Sequence, residues 1–161
     1  GACIPFIFNR LGGGVNRLVF DKQGTMWVGF TGRGWAPGEG LKKVTYTGKV
    51  PHEILDLKLT SSGFRLSFTK SVDKAAASEV GNYSLRHFEL PWHAGYGTGQ
   101  SNAQPVVPKA AKVSADGCVV TLELPELLAE KIYEFHLKGL VATDGSELEH
   151  PMAYYTLNRL K

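Results

Sequence analysis

The chain of 161 residues has no long hydrophobic run and little charge of either sign. Its apolar stretches last a few residues, against the ~20 that an α-helix needs to cross a bilayer, so no membrane span is expected. Charged residues make up 20% of the chain and the formal net charge is only +3. The lysines and arginines are dispersed, without a basic helix or an aromatic-basic sheet, which argues against nucleic acid as a partner. Cysteine occurs twice, at Cys3 and Cys118, with no CxxC or CxxCH spacing. A zinc knuckle and a c-type haem are excluded on that ground, while two free thiols and a single disulfide both stay open. The basic and apolar regions of a signal peptide are missing, and Gly1 before ACIPF reads as the start of an excised piece.

Hydrophobic residues account for 43% of the chain, the ordinary share for a globular protein. The length allows one core of about 100 residues plus an additional piece. The first fifty residues are glycine-rich and carry short aromatic strands at Asn16 to Phe20, Thr25 to Phe30 and Gly40 to Tyr46. Asp21 to Gly24 makes the turn between the first two, with Gly24 free to take a positive φ. So much glycine and β-branching works against helix. Val50 to Glu53, with its proline, marks a junction, dividing the chain into residues 1–50 and 51–161.

Beyond the junction the strand pattern repeats. Ile54, Leu55, Leu57 and Leu59 alternate loosely, a Ser61-Ser62-Gly63 turn follows, and Phe64, Leu66 and Phe68 alternate strictly. Asp73 to Glu79 predicts one helical turn capped by Asp73. Further strands are expected at Tyr83 to Leu90, Ala110 to Val113, Cys118 to Leu124, Lys131 to Leu137 and Met152 to Leu157, with Ser114 to Gly117 and Ala142 to Gly145 as turns. Pro125 to Glu130 reads as a short helical or turn segment. Some seven short strands at this spacing indicate an all-β, antiparallel two-sheet sandwich.

Two stretches carry family resemblances. GGGVNRLVFDKQGTMWVGFTGRGW followed by GLKKVTYTGK is similar to a terminal blade of the glucose/sorbosone dehydrogenase-like β-propellers. The turn glycine is Gly24, the central strand Met26 to Gly29, the Gly-Trp pair Gly34-Trp35, and the last strand begins at Gly40. GFRLSFTKSVDKAAASEVGNYSL at Gly63 to Leu85 and IYEFHLKGLVATDGSEL at Ile132 to Leu148 resemble the two ends of a bacterial Ig-like module of the SbsA type. Together these imply a partial propeller blade followed by an Ig-like sandwich. They also imply a periplasmic or secreted location and a larger parent, quinone-dependent and sugar-oxidising, as the main partner. The histidine and arginines that such propellers use have no matching positions, so no activity carries over.

The residues themselves offer little chemistry. His52, His87, His93, His136 and His150 show no i, i+4 pair and no HExxH, and His87 and His136 are expected to face solvent. There is no GxSxG elbow, and Gly12 to Gly14 lacks the Lys-Ser/Thr of a phosphate loop. Asp116-Gly117 and Asp144-Gly145 read as turns rather than calcium ligands. Glu123, Glu126, Glu130 and Glu134 read as a solvated face. The expectation is a non-enzyme with no cofactor and no metal in this chain.

The long glycine- and proline-punctuated loop Pro91 to Pro108 stands apart. Connections beyond about 12 to 15 residues are uncommon unless functional or disordered. Trp92, His93 and Tyr96 in it make a ligand-binding candidate, because flat rings with polar tips stack on sugars; carbohydrate is the alternative partner. The competing reading folds Trp92 and Tyr96 back over an edge or end of the sandwich. Arg33 stacked on Trp35 is expected near a blade interface as an interdomain contact.

Overall fold

The computed structural model describes residues 1–8, 10–32, 34 and 38–160. Its strands in chain order are β1 (Ala2–Cys3), β2 (Val15–Phe20), β3 (Met26–Phe30), β4 (Gly40–Val44), β5 (Ile54–Leu59), β6 (Gly63–Phe68), β7 (Tyr83–Glu89), β8 (Ser101–Val106), β9 (Ala110–Val113), β10 (Val119–Glu123), β11 (Lys131–Leu137) and β12 (Met152–Leu157). A short α-helix, α1 (Lys74–Ser78), and a 3-10 turn at Val80–Asn82 lie between β6 and β7. The chain divides into two units, Gly1–Pro5 with Pro51–Lys161, and Phe6–Val50. None of the described helices is long and apolar enough to cross a membrane.

The larger unit is an Ig-like antiparallel β-sandwich. One sheet has the order β1-β12-β11-β7-β8 and the other β5-β6-β10-β9. The strict alternation in β6 puts Phe64, Leu66 and Phe68 on its buried face, and Arg65 is exposed between them. Phe64 couples the sheets: its ring centroid lies 5.0 Å from that of Tyr133 and 5.1 Å from that of Phe135, both on β11. Both partners are fully buried with Leu66, Val120 and Leu122 in one apolar cluster. Burying each such side chain stabilises the fold by about 1.5–3 kcal/mol. The looser alternation in β5 has a cause. The β5–β6 register shifts between Ile54 and Asp56, so Leu55 falls outside the pairing and stays exposed.

Gly63 opens β6 where no side chain fits. A Cβ there would stand 2.0 Å from the Leu122 carbonyl oxygen on β10. The predicted helical turn forms as α1: Asp73 is the N-cap, and its carboxylate accepts from the Ala76 amide at 2.8 Å. The buried Tyr83 hydroxyl then donates to the Ala77 carbonyl at 2.6 Å, fixing α1 to the start of β7.

The smaller unit is a three-stranded antiparallel sheet, β2-β3-β4, with Gly24 at φ 78° in the β2–β3 turn. Asp21 organises that turn, accepting from the amides of Gln23 and Thr25 and from the Trp27 indole at 2.9 Å. Every residue of β2 is exposed.

Two expectations shift. Residues 1–5 do not belong with the glycine-rich strands. Ala2 and Cys3 pair with Tyr155 and Tyr154, and Gly1 exchanges backbone hydrogen bonds with Thr156. A two-residue strand is too short to show a period in sequence, and it forms because β12 offers it an open edge. The loop from Pro91 is also shorter than predicted. Ser101 to Val106 is the edge strand β8, where Pro105 is tolerated because an edge does not need its missing donor.

Candidate functional site

The loop 90–100 leaves β7 and returns in β8, and its base is closed by polar side chains. Glu89 is ion-paired to Lys131 of β11 and accepts from the Asn102 carboxamide at 3.0 Å, next to the Glu89–Ser101 pair. Within the loop the Thr98 hydroxyl donates to the Pro91 carbonyl at 2.9 Å. The Gly95 amide donates to His93 Nδ1 at 3.1 Å, which puts the imidazole proton on Nε2.

The tip holds rings in water. Trp92 is 92% exposed and Tyr96 90% exposed, so the reading that folds them back over the sandwich does not hold. Burying them would need an apolar floor, and all residues from Leu90 to Gln100 are exposed. Trp92, His93 and Tyr96 are thus brought onto one short loop. Arg33 and Trp35, the expected interdomain pair, lie outside the described residues.

A cleft of about 380 Å3 opens at the base of this loop, lined by Leu90, Glu130, Lys131, Ile132, Thr156 and Asn158. The Ile132–Thr156 pair places two of these on the outward face of β11 and β12. Glu130 enters β11 with a left-handed backbone, φ 62°, and its amide donates to the Leu157 carbonyl at 2.6 Å. Sequence reading missed this cleft, because its walls come from three segments far apart in the chain. Glu130 was legible only as one of four acidic residues.

Further along the same face, Glu134 corrects another expectation. It is only 4% exposed rather than part of a solvated face. Burial pushes its carboxyl up, but the His136 contact at 2.5 Å and the Arg86 guanidinium at 2.5 Å outweigh that and hold it below its ordinary value. A saturated pair of this kind is structural. His136 stays partly exposed beside it.

His87, expected to face solvent, turns inward because its register opposite Tyr133 puts it on the core side of the sheet. Its ring lies 5.7 Å from that of Tyr133, its Nδ1 is buried without a partner among the described residues, and burial lowers its pKa. His52 is also buried and lowered by burial, with Nε2 at 3.2 Å from the Leu140 carbonyl. His150 pairs with Glu53 at 2.5 Å.

Asp116 and Asp144 act as turn residues. Asp116 accepts from the Cys118 amide at 3.0 Å, and Asp144 from the Ser146 amide at 2.9 Å and from Lys70 at 2.8 Å. The Lys70 and Ser146 hydrogen bonds hold the Asp144 carboxyl far below its usual range. No group of three metal-ligating side chains forms among the described residues. Both cysteines are free thiols, Cys3 exposed and Cys118 partly buried.

No protein-family model matches the chain, and no curated protein matches it in sequence. The solved structures it resembles include crystal structures of the S-layer protein SbsC. Against one such structure the identity is 28% and the TM-score 0.51, over 68% of this chain and 14% of that one. A structure of SbsC domains 1-6 gives the same values. The N-terminal part of SbsC also aligns at 28% identity and TM-score 0.51, over 68% of this chain and 24% of that one. The chain therefore spans less than a quarter of each of these S-layer structures, and it shares with them a β-sandwich architecture.

Proposed function

We propose that this chain is a non-catalytic accessory region of a larger secreted or surface protein, in which the sandwich gives structural support and residues 6–50 dock against further protein. The observation that carries this reading is the apolar surface of the smaller unit. Phe6 is 73% exposed and Phe20 67%, with Phe8, Leu18, Leu41 and Tyr46 also exposed. Phe6, Phe8, Leu11, Val15, Leu18 and Met26 line an open groove of about 540 Å3. Contiguous apolar surface of this kind marks an interaction site, and a fully exposed edge strand such as β2 is a template for strand pairing.

The likeness to an S-layer protein supports a structural role outside the cell. The finer reading, a terminal blade of a glucose/sorbosone dehydrogenase-like propeller, is supported by the residue pattern and by three sequential antiparallel strands, which fit into a four-stranded blade. The folded chain is expected to bind the dye ANS, and the double variant Leu18→Ser/Phe20→Ser to lose most of that signal. A folded chain silent to ANS would sink the docking role. Turnover of aldoses on addition of quinone and calcium would overturn the non-catalytic reading.

A second reading is favoured by the exposed rings of Trp92 and Tyr96. The loop stacks on the faces of a saccharide, and titration of the chain against soluble oligosaccharides tests it.

A further inference from the structure

We infer that the cleft at the foot of the aromatic loop is a subsite for one neutral sugar unit, so that the loop and the cleft together take an oligosaccharide. This rests on the loop being a saccharide platform, and it adds the residues that set the ligand's chemistry.

Three observations converge. Leu90 is both the first residue of the loop and a wall of the cleft, and two residues of chain place the Trp92 Cα within about 7 Å of it. A ligand stacked on Trp92 therefore reaches the cleft with its next unit. The cleft's volume of about 380 Å3 falls at the lower end of small-molecule sites. Its polar side chains are also uncommitted. Glu130, Thr156 and Asn158 make no side-chain hydrogen bond or ion pair among the described residues.

The donor and acceptor set selects the ligand. A carboxylate, a hydroxyl and a carboxamide match vicinal hydroxyls that both donate and accept. Leu90 and Ile132 match the C–H faces of a pyranose ring. Lys131 already shares its charge with Glu89, so Glu130 leaves the cleft net negative and a uronate or sulfated sugar is repelled. One carboxylate beside a lysine is likewise a poor seat for a cation.

Glu130 supplies a fourth observation. A non-glycine residue at φ 62° is strained, and such strain concentrates at ligand sites. Glycine would serve the backbone better and would leave the cleft without its carboxylate.

The test is an amide NMR titration of the whole chain with cellohexaose, xylohexaose, maltohexaose and chitohexaose, with hexagalacturonate as the anionic counterpart. The expected result is that a neutral oligosaccharide perturbs residues 130–132 and 156–158 together with 91–98. Asn158→Ala and Thr156→Val should each weaken it about fivefold to tenfold. Glu130→Gly should weaken it similarly while its unfolding midpoint stays level or rises, a split that a purely structural role would not produce. If Trp92→Ala abolishes binding and the cleft variants change nothing, the cleft inference falls and the loop reading stands. If the cleft variants act and Trp92→Ala does not, the loop assignment falls. Preference for hexagalacturonate, or no binding of any neutral probe, overturns the inference.

Discussion

Replacing Gly63 by alanine tests the sandwich at its tightest point. The added methyl would stand 2.0 Å from the Leu122 carbonyl oxygen and 3.0 Å from its carbon, both backbone atoms of β10, where ordinary contact begins at 3.4 Å. No rotamer change relieves this, so β6 and β10 must separate by more than an ångström. The hydrogen bonds that close this end are then at risk: Leu124 amide to Ser62 carbonyl and Thr60 amide to Gly63 carbonyl, each 2.9 Å. Overpacking costs about 1–3 kcal/mol and each of the two weakened hydrogen bonds about 0.5–1.5 kcal/mol, so Gly63→Ala is expected to destabilise the sandwich by about 2–6 kcal/mol. At a urea m-value of about 1.5 kcal/mol/M, the midpoint falls by roughly 1.3–4 M. Backbone circular dichroism should be the probe, because neither Trp27, in the smaller unit, nor Trp92, in the exposed loop, is a member of this core cluster. Gly81→Ala is the control, with nothing within 4 Å of its Cβ and no positive φ. A Gly63→Ala midpoint within 0.5 M of wild type (about 0.75 kcal/mol at that slope) would refute the close-approach argument.

Tyr83→Phe removes a buried hydroxyl from the Ala77 carbonyl and is expected to cost about 1–3 kcal/mol, read by urea unfolding; an unchanged midpoint would mean that α1 is not held this way. The fold favours neutral His52 and His87, whose values burial sets below 6.5. The unfolded chain then binds more protons just below that value, so stability is at its fullest above it and declines as pH falls through it. Urea midpoints at about pH 7.5 and about pH 5.5 should differ in that direction and differ less in His52→Gln, and equal midpoints would contradict the burial argument. Asp73→Ala should loosen α1 and cost about 1 kcal/mol, visible as faster hydrogen exchange at the Ala76 amide, whose partner it removes.

The sandwich was legible because its strands alternate. Phe64, Leu66 and Phe68 announced a buried face, Asp73 announced a helix start, and the Gly117 turn, like the Gly24 turn of the smaller unit, took the positive φ that only glycine holds without strain. What escaped were features without a period. The strand β1 is two residues long, β8 hides behind a loop composition that includes a proline, and the inward turn of His87 depends on a pairing register set by a distant strand. The candidate site divides in the same way. Trp92 and Tyr96 stood out as aromatics among glycines, whereas Glu130, Thr156 and Asn158 meet only once β11 and β12 are paired.

The pairing of β1 with β12 covers one edge of the sandwich with a strand of two residues. Two residue pairs are too few to hold a free peptide, so β1 stays in place through the effective concentration that its covalent tether, the segment Phe6–Val50, confers. A cut anywhere in that segment removes the effective concentration. The edge of β12 is then uncovered and able to accept an extended strand from another chain, so a nick within residues 6–50 would appear as self-association through the sandwich.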